Sequence, residues 1–529
     1  MKKTLNYIWV VLILISCSFE KTADSPLRPN IIFLLADDLR DDMFSAMGHP
    51  QIKSPNIDKL LNQGVRFNNT YIAEPICAPS RVSIFTGMYE RLHGVGFSSS
   101  YQLTEQQWAK TYPSILRNNG YHTGFIGKFG VEYYTFRDKV SEKFDFWYAH
   151  NNLAKFFPKE YSTIGNIPYH DAGNDIITPI MGEAISNFLD SAPKEKPFCL
   201  SVSFNVPHHH AATSMYTGYE GWHAMTRPAS ENPKLKGHPM YHDLYRGSEI
   251  AIPAETATDP YQYIPVKVLD QNKGRNGVYD FSYTRETNQE HHIRYYQLIT
   301  GLDKVVGDLV ENLNVKGLAD NTIIIFASDH GLLMGEYGMG GKSLLYDLVS
   351  KIPFFIYDPR LPEKQTGKTV THLVTSLDIP VTILDYAGLE VPEEMQGESL
   401  VPLMRGEEVL WRDELFLESL FTLRDNPFLE GIRTEEWKYI RMYDGVAYYL
   451  EEDLNFENKK PNFEQLFNLK EDPGEMNNLI NEYQDSSLLV NLREKVQSYS
   501  QELNQQREEY IDSHQVVKWE RAKVPFPKE

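Results

Sequence analysis

Apolar residues along this chain gather in short continuous runs, separated by stretches with helical spacing. Ile31-Ile32-Phe33-Leu34-Leu35, bounded by Pro29 and Asp37, has no polar position to turn toward solvent. That is the pattern of a parallel strand buried on both faces. Ser54-Pro55 reads as the N-cap and first-turn proline of a helix that Gly64 closes. A second helix is predicted from about Pro113 to Asn119, with Gly120 as its stop, and a strand follows at Tyr121 to Ile126. Ile176, Ile177, Ile180, Ala184, Phe188 and Leu189 recur at helical spacing and lead into an apolar strand at Phe198 to Phe204. A long helix from about Glu290 to Leu313 precedes a strand at Thr322 to Ala327. This β-α-β rhythm predicts an α/β fold with a large, mostly parallel sheet sandwiched by helices.

Polar residues fall at one edge of that frame. The strands end in Asp37-Asp38, Gly127-Lys128, Pro207-His208 and Asp329-His330. Ligands of open α/β sheets bind at the carboxyl ends of the strands. Singly, each pair has a bland reading: a helix cap, a surface lysine, a satisfied histidine, a turn. Together they deliver charge and imidazole to one edge from distant parts of the chain. Asp37, Asp38 and Asp329 supply hard carboxylate oxygens, which suit Ca²⁺ or Mg²⁺. Arg81, Lys128, Lys342 and His208 would surround an anion with donors. Pro79 is placed to start a helix through Val82, Ile84 and Phe85, which sets Cys77 beside a helix N-terminus.

Composition narrows the function classes. The chain has 529 residues and 61.1 kDa, long enough for a large core and a second, smaller domain. A formal net charge of −20 argues against nucleic acid as a partner, and a polyanionic substrate would need a local cationic cluster. Lys2 and Lys3 precede an apolar run, Ile8 to Ile15, too short to span a membrane. It ends in Leu14-Ile15-Ser16-Cys17, which resembles a bacterial lipobox. Residues 1–16 are then a signal peptide and 17–28 a tether lipidated at Cys17. The protein is expected to be exported and lipid-anchored at the bacterial cell envelope, on the periplasmic or surface face of the outer membrane. That anchor is its only membrane contact. The alternative is an ordinary signal peptide with a chance cysteine. The three cysteines are Cys17, Cys77 and Cys199. With Cys17 and Cys77 otherwise engaged, no disulfide is expected, and Cys199 in its apolar run reads as a buried small hydrophobe.

Cys77-Ala78-Pro79-Ser80-Arg81 resembles the C-x-P-S-R signature of the type I, formylglycine-dependent sulfatases of the alkaline phosphatase superfamily. Arg28-Pro29-Asn30, Ser54-Pro55-Asn56-Ile57-Asp58, Phe85-Thr86-Gly87, Gly127-Lys128 and Gly340-Gly341-Lys342 are similar to the family too. So are Asp378-Ile379-Pro380-Val381-Thr382, Gly397-Glu398-Ser399-Leu400 and the closing Gln465 to Leu479. The resemblance implies that a maturation enzyme oxidises Cys77 to formylglycine, whose hydrate attacks sulfur and then expels sulfate by re-forming the aldehyde. It implies Asp37, Asp38, Asp329 and His330 as ligands of Ca²⁺ (or Mg²⁺), with oxidised Cys77 contacting the metal. It gives Arg81 the setting of the nucleophile and Lys128, His208 and Lys342 the sulfate, with His208 or Lys342 assisting the leaving alcohol. Two positions depart from the pattern. Gly130 stands where many relatives have the histidine of a GKWH run, and His330 stands where many have asparagine. The family's layout implies an α/β catalytic domain over 29–412 and a C-terminal α+β subdomain over 413–529. The latter holds a strand at Gly431–Ile440 and a helix near 485–507.

The segment from about 209 to 290 interrupts the rhythm. It holds Tyr216, Tyr219, Trp222, His223, Arg227, Tyr241 and Arg246 among glycines and prolines. It reads either as a frame for a carbohydrate, with Trp222 and Arg227 binding substrate, or as an excursion that only covers the sheet. The leading functional expectation is a sulfatase acting on a sulfated polysaccharide or its oligosaccharides, algal (ulvan, carrageenan) or glycosaminoglycan. The alternatives are a phosphodiesterase or phosphonate hydrolase of the same superfamily, and a non-catalytic glycan-binding surface lipoprotein.

Overall fold

The computed structural model describes residues 28–514, apart from 98–102, 132–138, 151–154, 161–168, 170–172, 217–226, 248, 257, 266–267, 269–283, 423–425 and 447–448. The signal segment, Cys17, Tyr219, Trp222 and His223 lie outside the described residues. No helix among the described residues is long and apolar enough to cross a membrane.

Eight strands make the main sheet: β1 (Asn30–Ala36), β2 (Val65–Tyr71), β3 (His122–Lys128), β4 (Phe146–His150), β5 (Phe198–Ser203), β6 (Thr322–Ser328), β9 (Phe355–Tyr357) and β10 (Lys368–Thr375). The two short strands between, β7 (Leu333–Met334) and β8 (Gly340–Gly341), form a separate ribbon. The spatial order is β10-β2-β9-β6-β1-β5-β3-β4, and β9 alone runs antiparallel to its neighbours. This is the expected α/β class. Its central strand β1 sits between β5 and β6, with Leu35 opposite Ser203 and Ala36 opposite Ser328. The unbroken apolar run follows from that place. Ile31, Phe33 and Leu35 enter one core while Ile32 and Leu34 enter the core on the opposite face.

Helices α1 (Pro55–Gln63), α6 (Ile177–Ser191) and α8 (Arg285–Val315) cover the second face. Helices α2 (Cys77–Thr86), α5 (Tyr112–Asn118) and α10 (Asp378–Tyr386) cover the first. Between them in the chain lie the short α3 (Glu90–His93), α4 (Glu105–Ala109), α7 (His209–Thr213) and α9 (Asp347–Ser350). The expected first helix is present, but the Ser54 hydroxyl donates to Asp58 Oδ1 at 3.0 Å instead of accepting a capping N–H. Cys199 is buried in β5, where burial pushes its thiol up to about 12.

A four-stranded antiparallel sheet follows: β11 (Glu414–Ser419), β12 (Phe428–Thr434), β13 (Trp437–Tyr443) and β14 (Phe463–Asn468). A closing helix, α11 (Ser487–His514), packs on it through Leu489, Leu492 and Val496. The single strand expected over Gly431–Ile440 is two strands of a hairpin that bends at Glu435-Glu436, where two adjacent carboxylates favour solvent over the sheet. Within the 209–290 excursion, Leu235, Tyr241, Tyr245 and Ile250 are buried in the core. Arg246 makes a two-point ion pair with Glu290 at 2.7 and 3.1 Å. Tyr241 and Arg246 therefore anchor the excursion to the body and do not face a ligand. Arg227 is exposed and donates to the Tyr216 hydroxyl at 2.9 Å.

Candidate active site

The sheet's carboxyl edge gathers the expected residues. Asp37 and Asp38 leave β1, Lys128 ends β3, His208 follows β5, and Asp329 and His330 leave β6. Lys342 follows the β7–β8 ribbon. Cys77 is the first residue of α2, so the helix starts at the cysteine itself and not at Pro79. The N-terminus of a helix is where an anion is favoured, and Cys77 stands there. All of these side chains are buried; Asp37, Asp329 and His330 are 0% exposed and Cys77 is 8% exposed.

The contacts form a closed network. Arg81 grips Asp329 Oδ2 with Nη2 at 2.7 Å and Nε at 3.0 Å, and donates to the Lys128 carbonyl at 2.9 Å and to Ser203 Oγ. Lys128 Nζ reaches both Asp37 oxygens, at 2.8 and 3.1 Å. Lys342 Nζ lies 2.7 Å from Asp38 Oδ1, 3.3 Å from His330 Nε2 and 3.4 Å from His208 Nε2. The His208 Nδ1 atom accepts the His210 N–H at 3.0 Å, which assigns the ring proton to Nε2, 3.5 Å from Asp38 Oδ2. Asp38 adopts a left-handed backbone (φ 65°), a conformation that Asp tolerates better than most residues. Its carbonyl accepts the Tyr295 hydroxyl at 2.6 Å, and its N–H donates to Asp329 Oδ1 at 3.1 Å.

These residues fit a divalent cation. Asp37, Asp38, Asp329 and His330 each offer one ligand atom, all within 4.8 Å of one another. The His330 Nδ1–H donates to the Gly331 carbonyl at 2.9 Å, so the Nε2 lone pair is turned toward Asp38 Oδ1 at 3.3 Å and Asp329 Oδ1 at 3.6 Å. The Lys342 ammonium, 3.3 Å from this nitrogen and 2.7 Å from Asp38 Oδ1, offsets the repulsion between the lone pair and the carboxylate oxygens, and a divalent ion held by the same atoms would offset it further. The carboxylates show the same strain. Burial, then the Asp37 charge, push Asp329 up to about 7 against Arg81. Burial also raises Asp38 against the pull of Lys342. Asp37 goes the other way: burial raises it, but Lys128, His208, Arg81 and Lys342 together hold it well below the usual carboxylate range. Burial keeps His208 and His330 neutral, and Lys342 adds to the effect.

Gly130 has a physical reason. Its φ is +64°, and a Cβ there would lie 2.8 Å from Arg81 Cδ. An imidazole at this position is excluded unless Arg81 moves. Sequence reasoning missed Ser203 and Ser80, whose hydroxyls meet Arg81 and the Asp329 carbonyl (the latter at 2.6 Å), and Tyr295 on α8. Small hydroxyl residues ending a strand or flanking a signature arginine were the available signal. Tyr295 gave none, because its position in a helical pattern reads as core. The aromatic and basic frame is only partly placed here: Arg227 is at the surface with Tyr216, and Trp222 is outside the described residues.

The comparisons with known proteins agree with this geometry. The sulfatase family model matches residues 29–389, and a model of the C-terminal region of N-sulphoglucosamine sulphohydrolase matches residues 335–502. The chain is 26% identical over 509 residues to an N-acetylglucosamine-6-O-sulfatase of Bacteroides thetaiotaomicron, covering 88% of this chain and 85% of that one. A solved structure in complex with its substrate D-glucosamine-2-N,6-O-disulfate shares the fold with a TM-score of 0.63 at 23% identity, over 92% of this chain and 99% of that one. A phosphonate monoester hydrolase of Agrobacterium radiobacter shares it with a TM-score of 0.67 at 21% identity, over 91% and 96%. The chain belongs to the sulfatase family and is a sulfuric ester hydrolase.

Proposed function

We propose that the protein hydrolyses sulfate esters of a sulfated carbohydrate with a formylglycine made from Cys77 by a maturation enzyme and a Ca²⁺ ion held by Asp37, Asp38, Asp329 and His330. Mg²⁺ would suit the same oxygens. The observation that carries this reading is the convergence of three buried carboxylates, an outward imidazole lone pair and four donors on the helix end that begins with Cys77. When bound, the ion would offset charge on the sulfate and on the nucleophile, and the aldehyde hydrate would supply a hydroxyl to attack sulfur and a second one to release it.

The chain's own residues account for the remainder. Three carboxylates face three cations, Arg81, Lys128 and Lys342, so a divalent ion leaves an excess of two positive charges for an anionic ester in an otherwise acidic protein. Lys128 and Lys342 would turn their ammonium groups to sulfate oxygens when the ester is bound. Arg81 acts behind them by fixing Asp329 with two hydrogen bonds. His208 presents a neutral Nε2–H to the site, the form that can donate to the departing alcohol oxygen. Position 130 contributes backbone alone.

The names of the two sulfatase relatives support a glucosamine sulfate as the sugar. The basic N-terminus, the apolar run and Cys17 support export and lipid anchoring at the cell envelope. The test is a panel: sulfated glucosamine oligosaccharides, sulfated algal oligosaccharides, a chromogenic aryl sulfate and an aryl phosphonate, with released sulfate read by ion chromatography. Sulfate release from a sulfated sugar, faster than from the aryl ester, is the expected result. Cleavage of the phosphonate with no sugar desulfated would overturn the reading.

A further inference from the structure

Three residues before the nucleophile, Glu74 is 0% exposed and has no cation beside it. Its Oε2 accepts the Leu420 N–H at 3.0 Å, and the Ser419 hydroxyl lies within hydrogen-bonding reach of the same carboxyl. Within hydrogen-bonding reach lies the equally buried Glu90 of α3. Glu90 Oε1 accepts the Tyr449 hydroxyl at 2.9 Å, and its Oε2 lacks a donor among the described residues.

The surrounding charges do not balance. Glu418 of β11 and Glu430 of β12 are taken by Arg91 of α3 (3.0 and 2.6 Å), with Arg441 of β13 also on Glu430 at 2.5 Å. Arg507 of α11 faces Glu90. Four buried carboxyl groups thus meet three guanidiniums. Two fully buried carboxylates within hydrogen-bonding reach of each other, one of them with an oxygen that has no donor among the described residues, are untenable as a pair of anions. One hydrogen atom between them removes the charge excess and gives the Glu90 oxygen a donor.

We infer that Glu74 and Glu90 share one proton, and that this acid–carboxylate hydrogen bond positions the segment leading into Cys77. The path is short. Glu74 joins Pro75, whose carbonyl accepts the Ser343 N–H at 3.0 Å next to Lys342, and Ile76 joins Cys77. The bond therefore ties both the nucleophile end of α2 and the Lys342 segment to α3 and, through Leu420 and Tyr449, to the C-terminal half. Glu74 and Glu90 are positioning residues and touch no reacting atom.

Burial, with neighbouring carboxylates, raises both groups, Glu90 to about 8 from an ordinary 4.5. The folded protein then holds a proton that the unfolded chain has released between about pH 4.5 and pH 8. The stabilisation that this proton provides falls as pH rises through that window and is gone above it. Replacing Glu74 by glutamine supplies an amide N–H in place of the shared proton and removes the titration. The experiment measures melting temperature against pH for the wild type, Glu74→Gln and Glu90→Gln. The wild type is expected to lose at least about 3 °C more between about pH 5 and about pH 9 than either variant. Curves that stay parallel overturn the shared proton. So does failure of both glutamine variants to fold, because the amide should substitute for it. The activity arm rests on the sulfatase reading: the alkaline limb of kcat near pH 8 should move upward in Glu74→Gln with KM unchanged. If no sulfate is released by any form, that reading fails, and the melting curves still decide the proton.

Discussion

Two buried charge clusters in this protein share ion pairing and differ in where their carboxylates point. Around Arg91, opposite charges meet with direct contacts: Glu418 at 3.0 Å, Glu430 at 2.6 Å, and the hydroxyl of Ser500 at 3.0 Å. At the strand ends, Asp37, Asp38 and Asp329 each meet a cation as well (Lys128 at 2.8 Å, Lys342 at 2.7 Å and Arg81 at 2.7 Å), but their oxygens also converge on one point with the His330 imidazole. The first arrangement satisfies each group where it stands and links α3 to β11, β12 and α11. The second holds one ligand atom from each of Asp37, Asp38, Asp329 and His330 within 4.8 Å of one another, an arrangement that a cation would stabilise. The difference teaches how to separate fold from chemistry in a protein with many buried charges. Paired opposites hold elements together, and converging like charges await something.

The comparison breaks most sharply under metal removal. Exhaustive chelation should abolish turnover and lower the melting temperature by several degrees, since a ligand that binds only the folded state contributes RT ln(1 + [L]/Kd). Added Ca²⁺ should restore both, and amide exchange in β12 and β13 should not change. Full activity in metal-free protein, confirmed by elemental analysis, would contradict the metal site. The second cluster should respond in the reverse sense. Arg91→Met strands Glu418 in a dry interior, leaves Glu430 to Arg441 alone, and should cost about 3–5 kcal/mol of stability. Turnover by the folded fraction should change by less than about threefold, because Arg91 touches no group at the strand ends. Denaturant unfolding and kcat measured on the same preparation check this. A large loss of kcat at unchanged stability would erase the distinction between the clusters.

The strand-end cluster was legible in the sequence for a physical reason. Most of its residues follow a strand-like run or sit in the Cys77–Arg81 signature, Lys342 stands in the Gly340-Gly341-Lys342 motif, and strand ends of an α/β sheet are where ligands go. The Arg91 cluster was not. Its partners lie 327 and 339 residues away, and no local pattern ties Glu418 or Glu430 to an arginine on a four-residue helix. The edge strand β10 was missed because Lys368, Thr369, Thr371 and His372 are exposed, so it shows no apolar run. The hairpin at 428–443 was read as one strand because the bend is only two residues long. Gly130 was visible as a departure, but its cause, the Arg81 side chain packed against its backbone, needed coordinates.

The central claim is that sulfur chemistry is done at Cys77, at the head of α2. The direct measurement is sulfate released from a sulfated glucosamine oligosaccharide by the wild type and by Cys77→Ala, both produced with a formylglycine-generating enzyme. The wild type should release sulfate and carry an aldehyde at position 77 by peptide mass spectrometry. Cys77→Ala should lose more than about 10⁴-fold in kcat, the scale for removal of a nucleophile, with its melting temperature within about 1 °C of the wild type. Sulfate release by Cys77→Ala at the wild-type rate would contradict the claim.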